Sequence, residues 1–109
     1  MNIETLREYC LSKEGVEECF PFDEETLVFK VRGRMFLLAS LDGDLSVNIK
    51  CNPAVALELR EQYPAVKPGY HMNKKHWNTI EIDGSVPEKT LFTWIDHSYA
   101  LVSGAKKGH

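Results

Sequence analysis

Residues 27–51 constrain the fold more than any other part of this sequence, because two short turn signals separate three apolar runs there. The first run ends at Arg32-Gly33-Arg34, and the second ends at Asp42-Gly43-Asp44, the strongest hairpin signal in the chain. Apolar and polar side chains alternate in the first and third runs, as in strands with one buried face. The middle run, from Met35 to Leu41, is apolar on both faces, which indicates a central strand covered on both sides. The stretch therefore predicts three consecutive antiparallel strands.

The register of these strands follows from the lengths of the two turns. Counting each turn as three residues pairs Val31 with Met35 and Leu41 with Leu45. This register keeps one continuous apolar face on all three strands, so we expect that face to meet the helices.

Helical periodicity and capping residues predict three helices around this sheet. Asn2 is a suitable N-cap for the first helix, and Asn52-Pro53 combines an N-cap with proline at the first helical position. A capping box of Ser85 and Glu88 precedes the last helix, and Gly104 suits its C-terminal end. The predicted buried stripes are Ile3, Leu6, Tyr9 and Cys10 in the first helix, Ala56, Leu59 and Tyr63 in the second, and Leu91, Trp94, Ile95, Ser98, Leu101 and Val102 in the third.

Two more strands are predicted between the second and third helices, a short one around residues 70–72 and another over residues 79–83. The predicted order is α-β-β-β-α-β-β-α, and helices on one face of a mainly antiparallel sheet make an α+β, two-layer fold. A chain of 109 residues is large enough for one such core. We therefore expect a single domain over residues 1–103, followed by a flexible tail over residues 104–109.

The cysteines indicate the cellular compartment of this protein, and its charge limits the partners that it could bind. Cys10, Cys19 and Cys51 lack C-x-x-C spacing, which favours reduced thiols and a cytoplasmic protein, and the N-terminal sequence lacks the pattern of a signal peptide. The net charge is -3, so the surface as a whole does not attract nucleic acid or an anionic membrane. From Lys30 onward, however, basic residues outnumber acidic ones by 11 to 8, which favours a mildly basic face.

Residues 67–83 gather hydrogen-bonding and stacking groups more densely than any other stretch. Three lysines, two histidines, a tyrosine and a tryptophan precede a short apolar strand there. Phosphate contacts need cations or backbone amides, whereas base contacts need hydrogen-bonding groups or aromatic rings. We interpret this segment as one part of a nucleic-acid-binding surface and the outer face of the predicted sheet as the other part.

The candidate residues have separate roles in this hypothesis. The cations expected to contact phosphate are Lys30, Arg32, Arg34, Lys50, Lys74 and Lys75. Tyr70 and Trp77 would stack on bases, unless Trp77 anchors the segment to the core. His71 and His76 would order the loop and donate hydrogen bonds.

Over nearly its whole length the chain resembles the MmcQ/YjbR family of small bacterial proteins. The resemblance is carried by Pro21-Phe22, Phe29-Lys30-Val31, Gly33-Arg34-Met35-Phe36, Lys50 ahead of Pro53, Tyr70-His71-Met72, Lys74, His76-Trp77 and Ser98-Tyr99-Ala100-Leu101-Val102. It implies an α+β fold similar to secretion-chaperone-like and frataxin-like domains. It also implies DNA binding through two hairpin wings, here Arg32-Gly33-Arg34 and Asp42-Gly43-Asp44. The second wing is acidic, which does not favour contact with phosphate.

Neither a metal site nor a catalytic site is expected. His71 and His76 lie five residues apart with no cysteine or carboxylate between them, and the two intervening lysines would repel a divalent cation. The sequence has no glycine-rich phosphate loop and no G-x-S-x-G motif. Two of its three cysteines fall on buried stripes, where thiols are usually inert. We therefore expect a non-enzymatic protein without a cofactor.

The alternative function is a protein-interaction or small-ligand-binding module. The predicted register places Val28, Phe36 and Leu38 on the sheet face opposite the helices, where an exposed apolar strip would mark a partner surface. A second possibility is that the segment around Trp77 covers this strip. The dependence of binding affinity on salt concentration distinguishes the two functions, because nucleic-acid binding weakens steeply as the salt concentration rises, whereas apolar association does not.

Overall fold

The computed structural model describes residues 1–104, and one strand more than the sequence predicts lies near the N-terminus. The helices are α1 (Ile3–Leu11), α2 (Pro53–Gln62) and α3 (Glu88–Ser103). The strands are β1 (Val16–Cys19), β2 (Thr26–Val31), β3 (Arg34–Ser40), β4 (Ser46–Lys50), β5 (Val66–Pro68) and β6 (Trp77–Glu81). The additional strand is β1, whose two central glutamates hide the strand pattern in the sequence.

All six strands form one antiparallel sheet in the spatial order β1-β2-β3-β4-β6-β5. Helices cover one face of it, the inner face, and Leu6 of α1, Leu59 of α2 and Ile95 of α3 join the buried side chains of the strands in one core. The predicted α+β, two-layer fold is confirmed. The other face, the outer face, is covered by no helix within residues 1–104.

The turn between β2 and β3 is one residue shorter than predicted. Val31 pairs with Arg34, so the turn consists of Arg32 and Gly33, whose φ angles are 55° and 77°. Positive φ at both central residues is the type I′ geometry, which matches the twist of the flanking strands. The predicted pairing of Val31 with Met35 is therefore wrong at this end of the hairpin.

A β-bulge at Phe36 brings the rest of the hairpin back to the predicted register. Lys30 pairs with Met35, whereas Phe29 pairs with Leu37, so Phe36 is an extra residue on β3. The side chain of Phe36 consequently enters the main core on the inner face and is fully buried. The prediction that Phe36 lies on the outer face is wrong, because alternation along the strand is interrupted at the bulge.

Ser98 of α3 connects β3 and β4 where the bulge separates them. Its hydroxyl accepts a hydrogen bond from the Lys50 N–H at 2.9 Å and donates one to the Phe36 carbonyl at 2.6 Å. The last regular pair between these strands is Leu37 with Ile49. The hydroxyl thus satisfies two backbone groups that the strands do not pair with each other.

Replacing Ser98 with alanine is expected to lower the free energy of unfolding by about 2 kcal/mol, because the buried Phe36 carbonyl and the partly buried Lys50 N–H both lose their partner. Urea denaturation followed by tryptophan fluorescence measures this loss. Thr93→Ala removes an exposed hydroxyl from the same helix and should change stability by less than about 0.5 kcal/mol. Equal losses in the two variants would contradict the bridging role of Ser98.

The predicted N-caps of the first two helices are confirmed, whereas the predicted cap of the third is wrong. The side chains of Asn2 and Asn52 each accept a hydrogen bond from a backbone N–H in the first turn of their helix, at 2.8 and 3.0 Å. Ahead of α3, one carboxylate oxygen of Asp83 accepts both the N–H and the hydroxyl of Ser85, at 2.9 and 2.6 Å. Ser85 is thereby held in a turn with Asp83, and the capping box with Glu88 does not form.

The chain between α2 and β6 also differs from the prediction. The short strand is β5, and residues 69–72, which include the predicted strand around 70–72, lie outside the strands. His71 has a φ angle of 61°, and the Met72 N–H donates to the Gly69 carbonyl at 3.3 Å, so the chain turns here. This turn directs residues 69–76 across the outer face of the sheet.

The predicted tail over residues 104–109 lies outside the described residues except for Gly104. This glycine ends α3 with a φ angle of 72°, the left-handed conformation expected at a helix C-terminus. Among the described residues, no helix combines the length and the apolar character needed to cross a bilayer.

Candidate nucleic-acid interface

Charged side chains on the outer face and its turns separate toward the two ends of the strands. Near the β2–β3 turn, Lys30 lies opposite Met35, and on the same side of the sheet Lys50 lies opposite Trp77. The basic residues here, which we call the basic end, are Lys30, Arg32, Arg34, Lys50, Lys74 and Lys75. The acidic residues toward the opposite end, which we call the acidic end, are Asp23, Glu24, Glu25, Asp42, Asp44, Glu81 and Asp83. A chain of negative net charge thus presents a local basic surface.

The basic end contains all six cations that the sequence assigns to phosphate contact. Lys30 and Lys50 extend from the outer face of the sheet, Arg32 lies in the β2–β3 turn, and Lys74 and Lys75 lie in the loop that immediately precedes Trp77. Arg34 is the first residue of β3 and lies opposite the inner-facing Val31, so the prediction that it shares the outer face with Lys30 is wrong. Glu17 on the edge strand β1 lies opposite Lys30 and limits the basic surface on that side.

Arg60 of α2 holds the loop before β6 in place. Its Nε donates to Asn78 Oδ1 at 2.7 Å, and its Nη2 donates to the backbone carbonyls of Lys74 and Trp77. Asn78 is fully buried, and its amide also donates to the Ala56 carbonyl at 3.2 Å. This network links helix, strand and loop. Arg60 and Asn78 could not be predicted from the sequence, because neither residue belongs to a local motif.

Lys74 closes the base of the same loop. Its ammonium donates to the Gly69 carbonyl at 3.0 Å, and the Gly69 N–H donates to the Trp77 carbonyl at 2.9 Å. Gly69 has no space for a side chain, because an added Cβ would lie 2.8 Å from the Trp77 Cβ. Lys74 therefore orders the loop in addition to its predicted contact with phosphate.

Tyr70 and His71 form the exposed tip of the loop. Tyr70 is 68% exposed, and its ring centroid lies 3.9 Å from that of His71. The Tyr70 N–H donates to Thr79 Oγ1 at 2.9 Å, which fixes the tip to the neighbouring strand β6. The structure thus presents the ring of Tyr70 to solvent, and its stacking on a base stays a prediction.

Trp77 anchors its segment to the sheet and does not present its ring for stacking. It is 9% exposed and packs on the outer face in a small cluster with Val28 and Leu38, against which Met35 and Met72 also pack. This segment therefore covers Val28 and Leu38, the two residues of the predicted apolar strip that lie on the outer face. A buried Trp77 cannot stack on a base without leaving this cluster.

The hydrogen bonds that order the histidine-containing loop come largely from its backbone. The His76 carbonyl accepts the Cys51 N–H at 2.7 Å, and the His76 N–H donates to the Asn73 carbonyl at 3.2 Å. The Asn73 side chain accepts the Lys75 N–H at 2.9 Å. Within residues 1–104, no group of three or more His, Cys, Asp or Glu side chains could hold a metal ion.

The three cysteines differ in environment and therefore in expected reactivity. Burial raises the pKa of the Cys10 thiol to about 12 and that of the Cys51 thiol to about 11, whereas Cys19 is only partly buried at the edge of the sheet. Near pH 8, we expect the folded protein to react rapidly with a disulfide reagent at Cys19 alone. Mass spectrometry of the labelled peptides would identify the site, and the unfolded protein provides the control in which all three react. Rapid labelling of Cys10 or Cys51 in the folded state would contradict this prediction.

Comparisons with known proteins agree with this fold. The model of the YjbR family matches residues 11–101. The uncharacterised protein YbdF of Escherichia coli O157:H7 is 41% identical over 100 residues, which cover 91% of this chain and 82% of that protein. The uncharacterised protein YjbR of Escherichia coli strain K12 is 34% identical over 100 residues, which cover 91% of this chain and 85% of that protein. The crystal structure of Deinococcus radiodurans protein DR2400, a DUF419 domain, has a TM-score of 0.90 at 42% identity and covers 99% of this chain and 81% of that one.

Proposed function

Because this chain belongs to the YjbR family, we propose that it is a non-catalytic nucleic-acid-binding protein whose contact surface is the basic end of the outer sheet face. The observation that carries the proposal is the separation of charge between the two ends of the sheet. Six cations lie toward one end, where Glu17 lies opposite Lys30, and seven acidic side chains lie toward the other end, so we expect the local potential at the basic end to be opposite in sign to the net charge of -3. Phosphate groups would be attracted to this end and repelled by the other.

The two hairpins implied by the family resemblance have unequal parts in this proposal. Consecutive turns of an antiparallel meander lie at opposite ends of the sheet, and the β2–β3 turn is basic whereas the β3–β4 turn carries Asp42 and Asp44. One nucleic-acid backbone therefore contacts the first hairpin and avoids the second. In this proposal, the loop that contains Lys74 and Lys75 contacts nucleic acid together with the first hairpin, because both lie at the same end of the sheet.

We place this activity in the cytoplasm, where the three free cysteines would stay reduced. No cofactor is required, because phosphate and base contacts are made by side chains and backbone groups alone.

Fluorescence anisotropy with labelled single-stranded DNA, duplex DNA and single-stranded RNA tests the proposal. We expect micromolar binding at about 50 mM salt that falls steeply toward about 200 mM, with a linear dependence of log K on log salt concentration. Circular dichroism of the same sample establishes that the protein is folded. A folded protein that binds none of the three probes at about 50 mM salt would overturn the proposed function.

Arg32 allows binding and stability to be separated, because its φ angle of 55° is one that asparagine adopts more readily. Arg32→Asn is expected to weaken binding by about threefold to tenfold and to lower the salt slope by about 1, through loss of one phosphate contact. The same variant should be as stable as the natural protein or more stable by up to about 1 kcal/mol. Arg32→Lys keeps the charge and is the matched control. Unchanged affinity in Arg32→Asn would remove this turn from the contact surface.

A further inference from the structure

A groove on the outer face lies between the tip of the 69–76 loop and the segment that precedes β2. It has a volume of about 370 Å³, and the residues that line it include Phe22, Asp23, Leu38, Asn48 and Tyr70. Phe22 is 63% exposed and Tyr70 is 68% exposed, so two aromatic rings on different walls face solvent. Aromatic walls of this kind suit a flat ring, because stacking uses the faces of both partners.

The polar groups on the floor of the groove are held in a fixed orientation. The Tyr70 N–H donates to Thr79 Oγ1 at 2.9 Å, and the Thr79 hydroxyl in turn donates to Asn48 Oδ1. This chain of bonds occupies the Asn48 carbonyl oxygen and leaves its NH2 group to donate into the groove. At the rim, one oxygen of Asp23 accepts the Glu25 N–H at 2.9 Å, which positions that carboxylate as an acceptor.

The charges and hydrogen-bonding groups that line the groove indicate which kind of aromatic ring it could bind. Among its lining residues are one carboxylate and several neutral donors and acceptors, but neither lysine nor arginine, so a phosphate would not be held here. A donor at Asn48 and an acceptor at Asp23, which line the same groove, complement a base edge that offers both an acceptor and an amino group. Resting on the proposed function, we propose that this groove takes an unpaired nucleobase with an exocyclic amino group, and hence that the nucleic acid bound is single-stranded.

The groove and the basic end are close enough to share one nucleotide. Asn48 and Lys50 are both on the outer face of β4, and alternate residues of a strand are about 6.6 Å apart. A base in the groove therefore leaves its phosphate near Lys50. A paired base could not reach the floor of the groove, because its hydrogen-bonding edge is already occupied by the complementary strand.

Anisotropy with three labelled oligonucleotides of equal length, made of deoxycytidine, thymidine or abasic sugar-phosphate, separates base contacts from phosphate contacts. All three carry the same backbone charge, and cytosine and thymine have rings of the same size, but only cytosine has an amino group. We expect cytidine to bind about tenfold more tightly than the abasic strand, with thymidine in between. Equal affinities for all three would overturn the base site while leaving phosphate binding intact. Tighter binding of thymidine than of cytidine would overturn the assignment of an amino-bearing base.

Variants of exposed aromatic residues test whether the groove itself is used. Tyr70→Ala and Phe22→Ala should each lower affinity for the cytidine strand severalfold and leave the abasic strand unaffected. Phe20→Ala is the matched control, because Phe20 is also an exposed phenylalanine (51%) but lines a different surface depression with Ile3 and Leu27. If Phe20→Ala weakens binding as much as Phe22→Ala does, the groove is not the base site. If none of the three oligonucleotides binds, the proposed function is wrong. Titration with cytidine monophosphate, followed by the NMR shifts of Tyr70 and Asn48, then tests separately whether the groove binds a base, and unchanged shifts would overturn the base site.

Discussion

Reversing the charges of Lys30 and Lys50 together is expected to lower the affinity for nucleic acid by about 100-fold. Lys30 and Lys50 are both partly exposed, and each reversal removes an attraction to phosphate and adds a repulsion, which together amount to roughly 1.4 kcal/mol, or tenfold. The two side chains extend from β2 and β4, the rigid part of the basic end, so a shift of the loop cannot compensate for their loss. The salt slope should also fall by about 2, because two phosphate contacts are lost. Anisotropy titrations of Lys30→Glu/Lys50→Glu at several salt concentrations measure both quantities.

The matched control for this variant is Arg7→Glu/Lys89→Glu, which changes the net charge by the same amount. Arg7 lies on α1, where it is paired with Glu18, and Lys89 lies in the first turn of α3, so both belong to the helices that cover the inner face. If affinity depends only on net charge, both double variants will lose binding equally, and the basic end then has no special role. A loss confined to Lys30→Glu/Lys50→Glu supports a defined contact surface.

Replacing Asn78 with leucine is expected to lower the free energy of unfolding by about 3 kcal/mol. Leucine is close to asparagine in size, so the change removes hydrogen bonds while the fully buried site stays filled. The Arg60 Nε and the Ala56 carbonyl both lose their partner, and an unsatisfied buried polar group costs more than its hydrogen bond contributed. For a domain of this size, the melting temperature should fall by roughly 15 °C. Thermal and urea unfolding followed by circular dichroism measure the change.

A double-mutant cycle with Arg60→Met distinguishes a network from two independent contacts. If Arg60 and Asn78 stabilise each other, the double variant should be more stable than the sum of the single losses predicts, by at least about 1 kcal/mol. Additive losses would mean that the two residues act separately. Because Arg60 also holds the carbonyls of Lys74 and Trp77, Arg60→Met should in addition loosen the loop and weaken binding.

Local patterns in the sequence determined the class of fold and most of its elements. Alternation in β2 and β4, the Asp42-Gly43-Asp44 hairpin and the asparagine N-caps are each decided within a few residues, so a local pattern is enough to predict them. Clustering of basic residues after Lys30 is likewise visible along the chain. The antiparallel meander then requires that the β2–β3 turn and the β3–β4 turn lie at opposite ends of the sheet.

Contacts between residues distant in sequence decided the remainder. The two-residue turn at Arg32 shifts the strand register by one residue, and the bulge at Phe36 shifts it back. The backbone carbonyl of Phe36 at the bulge is hydrogen-bonded by Ser98, which is 62 residues further along the chain. The position of the 69–76 loop likewise depends on Arg60 and Asn78, whose partners lie on other elements. Whether Trp77 is covered or exposed, and where the groove beside Tyr70 opens, follow from that position. These features depend on hydrogen bonds between buried polar groups on different elements of the fold. A local sequence pattern does not show which distant residue supplies the hydrogen-bond partner, so these features could not be predicted.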